Sequence, residues 1–170
     1  MDRVLDAGLA VLREQGYDQL SMREVSRRSG LTHATVYGYF SAKQHLVTEL
    51  YWRRIQRWCE QPVDGTEPLE RLAGVFAELG QLMSEESELG VAASAAVLSR
   101  DPDVARLRIC IGTAVTGWLR RAAGLSCPPE ILDALSIAVS GGMVEAGMAY
   151  GSYTDMAERL TSVSALLLRG

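Results

Sequence analysis

The stretch Ser21–Leu46, SMREVSRRSGLTHATVYGYFSAKQHL, decides the reading of this chain, because it spells two short helices meeting at a tight turn with a third starting directly after. Ser21 is placed as an N-cap, and Glu24 three residues on is placed to complete a capping box, each side chain meeting a backbone N–H that the first turn leaves orphaned. The helix that follows carries Arg23, Arg27 and Arg28 on its polar side. It stops at Gly30, the residue type that tolerates the positive φ of a helix C′ position. Leu31 fills the corner, and Thr32 caps a second helix, His33 to Tyr39, in which Val36 and Phe40 lie four apart and face inward. Two helices joined by a few residues that include glycine form the helix-turn-helix signature, so double-stranded DNA is the leading partner. Ser41 with Gln44 predicts a second capping box, opening a longer helix through Leu46, Leu50, Ile55 and Trp58.

Lys43, the only lysine of the chain, falls in the first turn of that longer helix, where a cation opposes the helix dipole. A phosphate there reverses the balance, since free N–H groups and the ammonium both favour an anion. A solvated lysine with no partner is the alternative.

The run THATVYGYFSAKQHL resembles the DNA-binding segment of the tetracycline-repressor (TetR) family, whose members carry a T-x-Y-x-(H/Y)-F-x-x-K-x-x-L pattern. Thr35, Tyr37, Tyr39, Phe40, Lys43 and Leu46 match it position by position. Gly16-Tyr17 and the capping Ser21 match the family's first link between helices. The resemblance spans roughly residues 3 to 55 and is specific, being a set of identities at fixed spacing in a compatible helical context. It implies a homodimer on a near-palindromic operator, released by a small-molecule effector, with Ser21, Arg23, Tyr37 and Lys43 on phosphates. If the second helix enters the major groove, Thr32, His33, Ala34 and Thr35 lie nearest the base edges, and Gly38 permits close backbone approach. Tyr39 belongs either with these contacts or over the next helix.

Charge is divided along the chain. Residues 1–58 hold nine Arg or Lys against six Asp or Glu, a net of +3, whereas residues 59–170 hold eight against fifteen, a net of −7. A basic head on an acidic body suits a protein that touches phosphate with one end only. A content of 48% hydrophobic and 22% charged residues is that of a globular chain. No apolar run is long enough to cross a membrane and no basic-then-apolar leader opens the sequence, so the cytoplasm is expected.

The first helix, Val4 to Gln15, carries Leu5, Leu9 and Leu12 at helical spacing, and Gly16 ends it. Beyond Trp58 the segment QPVDGTEP, residues 61–68, reads as a loop and as the hinge between head and body. Thr66 is placed to cap a helix through Leu72, Phe76, Leu79 and Met83; a second body helix spans Ser87 to Leu98. Asp101-Pro102 opens a long third one, ending near Gly124. Glu130 to about Tyr150 and Thr154 to Leu168 complete the pattern. The expectation is therefore all-α: about nine helices, with a DNA-binding head over residues 1–50 and a ligand-binding and dimerisation body over residues 51–170.

Catalysis finds no support, because the only histidines, His33 and His45, lie in the head, and no H-E-x-x-H, G-x-S-x-G or phosphate loop is present. Three widely spaced cysteines, Cys59, Cys110 and Cys127, suggest neither a metal centre nor a disulfide framework, and no cofactor is expected. Phe76, Met83, Trp118, Met143, Met148 and Tyr150 are bulky apolar residues suited to a ligand pocket, with Glu145 as a polar anchor; packing core is the competing reading. Ala138, Gly142, Ala146 and Ala149 give one helix a face of small residues, which suggests close approach of a second copy, with Ile131–Ala149 and Thr161–Leu168 as the dimer contact. A faint similarity to regulators of sterol and lipid catabolism implies a large apolar or acyl-CoA effector. A helical protein-interaction module and a thiol-based sensor are the alternatives.

Overall fold

The computed structural model describes residues 1–169, and within them the chain forms nine helices and no strand. They are α1 (Asp2–Gln19), α2 (Met22–Ser29), α3 (His33–Tyr39), α4 (Lys43–Cys59), α5 (Pro68–Glu85), α6 (Ser87–Ala96), α7 (Pro102–Ala123), α8 (Pro129–Gly147) and α9 (Tyr153–Leu167). Local signals account for most of these boundaries. Gly16 breaks α1 with φ 76° and ψ 173°, Gly30 closes α2 in the left-handed region, and Asp101 caps α7 by accepting from the amides of Asp103 and Val104.

Three caps differ from expectation. Ser21 accepts from the Glu24 amide at 3.3 Å, but the Glu24 carboxylate does not return to Ser21; it binds Arg27 at 2.9 Å and Arg28 at 3.0 Å. Charge-assisted bonds to guanidinium outcompete a bond to a neutral amide. Ser41 and Gln44 form no box either: Ala42 is the N-cap of α4, while the Ser41 amide donates to His45 Nδ1 and its hydroxyl donates to Asp101 at 2.8 Å. At α5 the cap is Glu67, and Glu70 reaches back to accept from the Thr66 amide at 3.0 Å. Helix α8 ends at Gly147, short of Tyr150, where Ala149 turns to φ 61°; α9 then opens with a capping box of Ser152 and Asp155.

In the head, α1 and α4 cross closely: a Cβ on Gly8 would stand 2.8 Å from a Leu46 methyl. Val4, Leu5, Val11, Leu12, Val25, Val36, Phe40 and Leu46 fill the space between α1, α2, α3 and α4. In the body, α5 packs on α9 and α7, α7 on α4 and α8, and α8 on α6 and α9. Trp118 is fully buried against Trp58, ring centroids 3.9 Å apart, and ties α7 to α4.

The segment 61–68, expected as a hinge, joins α4 to α5, and α4 runs unbroken through residue 50, the expected boundary between head and body. A second link is ionic. Glu86, at the start of α6, accepts from Arg54 of α4 at 2.9 Å and from Arg13 of α1 at 2.8 Å. Burial pushes its carboxyl up, but the two guanidiniums outweigh burial and hold it below the usual carboxylate range.

Tyr153 carries a test of the body's packing. Its hydroxyl is buried without a protein partner and lies against Gly90, where any Cβ would collide with it. Removing an unpaired polar group recovers its desolvation cost, so Tyr153→Phe is expected to stabilise the protein by about 1 kcal/mol, read as a raised urea midpoint with an unchanged slope.

Candidate nucleic-acid interface and effector cavity

Helix α3 owes its orientation to Val36 and Phe40, which are buried and turn the remaining face outward. Thr32, His33, Ala34, Thr35, Tyr37, Gly38 and Tyr39 are all exposed, as are Ser21 and Arg23 at the start of α2. The Thr32 hydroxyl caps the helix by accepting from the Thr35 amide at 3.2 Å, and the two threonine hydroxyls lie 2.9 Å apart. The His33 and Tyr37 rings stand 5.2 Å apart on the outer face.

The cations of α2 are not equivalent. Arg27 pairs with Glu24, and Arg28 pairs with both Glu24 and Glu14. Hydrogen bonds from Arg27 and then Arg28 bring the Glu24 carboxyl down to about 2. Arg23 pairs with no carboxylate among the described residues, so it is the α2 guanidinium left to meet a phosphate. Lys43 is half-buried and partnered rather than free. Its ammonium donates to the carbonyls of Tyr17 at 2.9 Å and Asp18 at 3.4 Å, and sits 4.5 Å from the centroid of the Tyr17 ring. The negative end of α1 thus holds it in place, with one of three N–H donors to spare.

A cavity of about 320 Å³ opens between α4, α6, α7 and α8. Val97, Ile111, Val115, Val139 and Met143 give it an apolar wall, and Tyr51 brings α4 into contact with it. Its serines add little polarity, because their hydroxyls bond their own helices: Ser94 to Gly90 O at 3.0 Å, Ser136 to Leu132 O at 2.9 Å and Ser140 to Ser136 O at 2.9 Å. Arg108 stands at the solvent-exposed margin, where one guanidinium nitrogen donates to the carbonyls of Val97 at 2.6 Å and Ser99 at 2.7 Å.

Of the seven residues expected around a ligand, Met143 lines this cavity. Phe76, Met83 and Trp118 are buried core residues outside its wall, Glu145 pairs with Arg159 across α8 and α9 at 2.6 Å, and Met148 and Tyr150 are exposed beyond it. Helical spacing marks a buried face, and it does not distinguish a face that meets another helix from one that meets a void. Tyr51, Val97, Ile111, Val115 and Val139 carried no local signal that set them apart from ordinary core.

The small-residue face of α8 is likewise reassigned in part. A Cβ on Gly142 would press on Met156 of α9 at 2.8 Å, and one on Gly147 would collide with Ser94 of α6, so these positions admit neighbours from the same body. What α8 and α9 leave outside is larger and apolar: Ile137, Val144, Val163 and Leu166, flanking the Glu145–Arg159 pair. The Cys59 thiol is pushed up to about 11 by burial, which disfavours the thiolate a redox sensor needs. No group of His, Cys, Asp or Glu able to hold a metal is present among the described residues, and none of their helices is long and apolar enough to cross a membrane.

Comparison with known proteins agrees with this architecture. Residues 4–50 match the family described as bacterial regulatory proteins, tetR family. An uncharacterised HTH-type transcriptional regulator of Mycobacterium tuberculosis is 34% identical over 171 residues, taking in 99% of this chain and 80% of that protein. The HTH-type transcriptional repressor KstR of Rhodococcus jostii is 28% identical over 172 residues, covering 98% of this chain and 81% of its own. Among solved structures, a TetR transcriptional regulator from Rhodococcus sp. RHA1 superposes with a TM-score of 0.79 at 21% identity, over 98% of this chain and 94% of that one. Thermus thermophilus FadR, a repressor crystallised with lauroyl-CoA, gives 0.72 at 20% identity, over 98% and 92%. These relatives are regulators rather than enzymes, and the present chain belongs to the TetR family of DNA-binding transcriptional regulators.

Proposed function

We propose that this regulator is a homodimeric repressor that holds a near-palindromic operator with two copies of α3 and releases it when a small apolar or acyl-CoA-type effector fills the cavity. The observation that carries the reading is Tyr51. It lies in the cavity wall and on α4, the helix that begins at Lys43, directly after the recognition helix. An effector that packs better against one position of α4 than another shifts the population of head spacings, and only one spacing fits successive major grooves. The lauroyl-CoA bound by the Thermus relative supports the effector class.

In this reading residues 1–50 bind DNA and residues 51–170 bind effector and partner. Thr32, His33, Ala34 and Thr35 read base edges, Gly38 lets the backbone approach, and Ser21, Arg23, Tyr37, Tyr39 and Lys43 hold phosphates. Dimerisation covers the exposed Ile137 and Val144 of α8 and Val163 and Leu166 of α9, within the segments 131–149 and 161–168. The cytoplasm is where such a protein meets its operator.

Selection of bound duplexes from genomic fragments tests the proposal. Recovery of an inverted repeat bound by a dimer, and its release by a long-chain acyl-CoA, is the expected result; salt-sensitive binding without sequence preference, or no binding, overturns it. On the selected duplex two substitutions are expected to separate. Lys43→Ala weakens binding to every sequence and lowers the slope of log affinity against log salt by about one. His33→Ala alters discrimination at one base pair by about 1–3 kcal/mol, and a uniform loss of affinity instead would remove His33 from the base-reading set.

A further inference from the structure

We infer that the effector cavity takes an amphiphile with an anionic head, and that Arg108 is the residue that recognises it. The inference rests on the effector reading above and goes beyond it by assigning the polar end of the ligand. The walls hold no charge of their own: their serine hydroxyls are spent on their own helices and Thr116 meets Ser136, which leaves the Tyr51 hydroxyl as the one neutral polar group facing a ligand that is otherwise in apolar surroundings. Arg108 is the one charged side chain among the described residues that line the cavity, and it stands at the solvent-exposed margin. No carboxylate among the described residues pairs with it. Its two hydrogen bonds, to Val97 O and Ser99 O, use a single nitrogen, Nη1. They orient the guanidinium and leave the donors on Nε and Nη2 to an incoming anion, in the planar arrangement that matches carboxylate or phosphate. At about 320 Å³ the cavity is at the small end of ligand pockets, room for an alkyl chain with its head group outside.

The same bonds also close the C-terminal end of α6, so a purely structural role for Arg108 has to be separated from recognition. Calorimetric titration of the full chain with dodecanoate, dodecanoyl-CoA and dodecanol, each below its micelle concentration, does so. A charge-assisted hydrogen bond is worth roughly tenfold to 100-fold in affinity, so at least one of the two anionic ligands is expected to exceed dodecanol by that margin in the wild type. In Arg108→Met the preference is expected to fall below about threefold while dodecanol binding persists, and in Arg108→Lys part of the preference returns. Dependence on Arg108 for dodecanoate identifies a free carboxylate as the anion; dependence for dodecanoyl-CoA alone identifies the phosphates of the thioester's carrier.

Equal binding of all three ligands by the wild type overturns the inference, as does a preference that survives Arg108→Met. If Arg108→Met loses all three ligands alike and Arg108→Lys restores none of the preference, Arg108 closes a helix and recognises nothing. Absence of binding by every ligand removes the effector cavity along with its anchor. Binding that leaves operator affinity unchanged removes only the regulatory link and keeps the assignment of Arg108.

Discussion

Phe40→Ala is expected to abolish operator binding, with a loss exceeding about 100-fold, by unfolding the part of the head that presents α3 rather than by deleting a DNA contact. Phe40 is 1% exposed, closes α3 by donating its amide to Val36 O at 3.0 Å, and meets the His45 ring edge-on with centroids 5.2 Å apart. Truncating a buried phenylalanine costs about 3–5 kcal/mol, most of the stability that a core as small as the head's can supply. Helices α5 to α9 pack on one another without α3, so they are expected to remain folded in the variant and to bind effector. Hydrogen exchange gives the sharper reading: amides of α2 and α3 lose protection while those of α5 and α9 keep theirs. Operator affinity within about threefold of wild type would show that Phe40 does not hold the recognition helix in place.

Trp118→Ala carries the other large effect, at the opposite end of α4. Trp118 is fully buried, and its indole packs against Trp58. Its truncation is expected to lower global stability by about 3–5 kcal/mol, with an unchanged dependence on urea concentration if the body still unfolds as one unit. Both indole N–H groups are buried without a protein acceptor, so part of what tryptophan contributes by packing is already offset by desolvation. Trp118→Phe is accordingly expected to cost much less, about 1 kcal/mol, because it removes the unpaired donor together with one ring. The double variant with Trp58→Ala checks the contact itself: a coupling energy of about 1 kcal/mol or more marks a direct α4–α7 contact, and additivity within a few tenths denies it.

Much of the fold was legible because helices announce themselves locally. Ser21, Thr32 and Asp101 each satisfy backbone groups within four residues of themselves, and Gly30 turns the chain by its own left-handed φ, so their consequence does not depend on the rest of the molecule. The recognition segment was legible for the same reason, as its buried pair, Val36 and Phe40, lies one helical turn apart. The failures came where a local signal had a distant competitor. Ser41 was placed to cap α4 and instead bonds Asp101, sixty residues away. Lys43 opens α4 as expected, and only the structure adds that the carbonyl end of α1 holds its ammonium. Gly142 was read, with Ala138, Ala146 and Ala149, as room for a second copy, and Met156 of the same chain packs against it.

The sequence by itself therefore determined the number, type and approximate limits of the helices, the basic balance of residues 1–58 against the acidic remainder, and the family resemblance of the helix-turn-helix segment. The helices follow from hydrogen-bond satisfaction and apolar periodicity over a few turns. Only the tertiary structure decided which buried residues border a void, that Tyr51 brings α4 to its wall, and that Arg108 stands alone in charge at its margin. A cavity is the space left over when helices from four parts of the chain stack. Its lining is a property of their mutual placement, and no single stretch of residues encodes it.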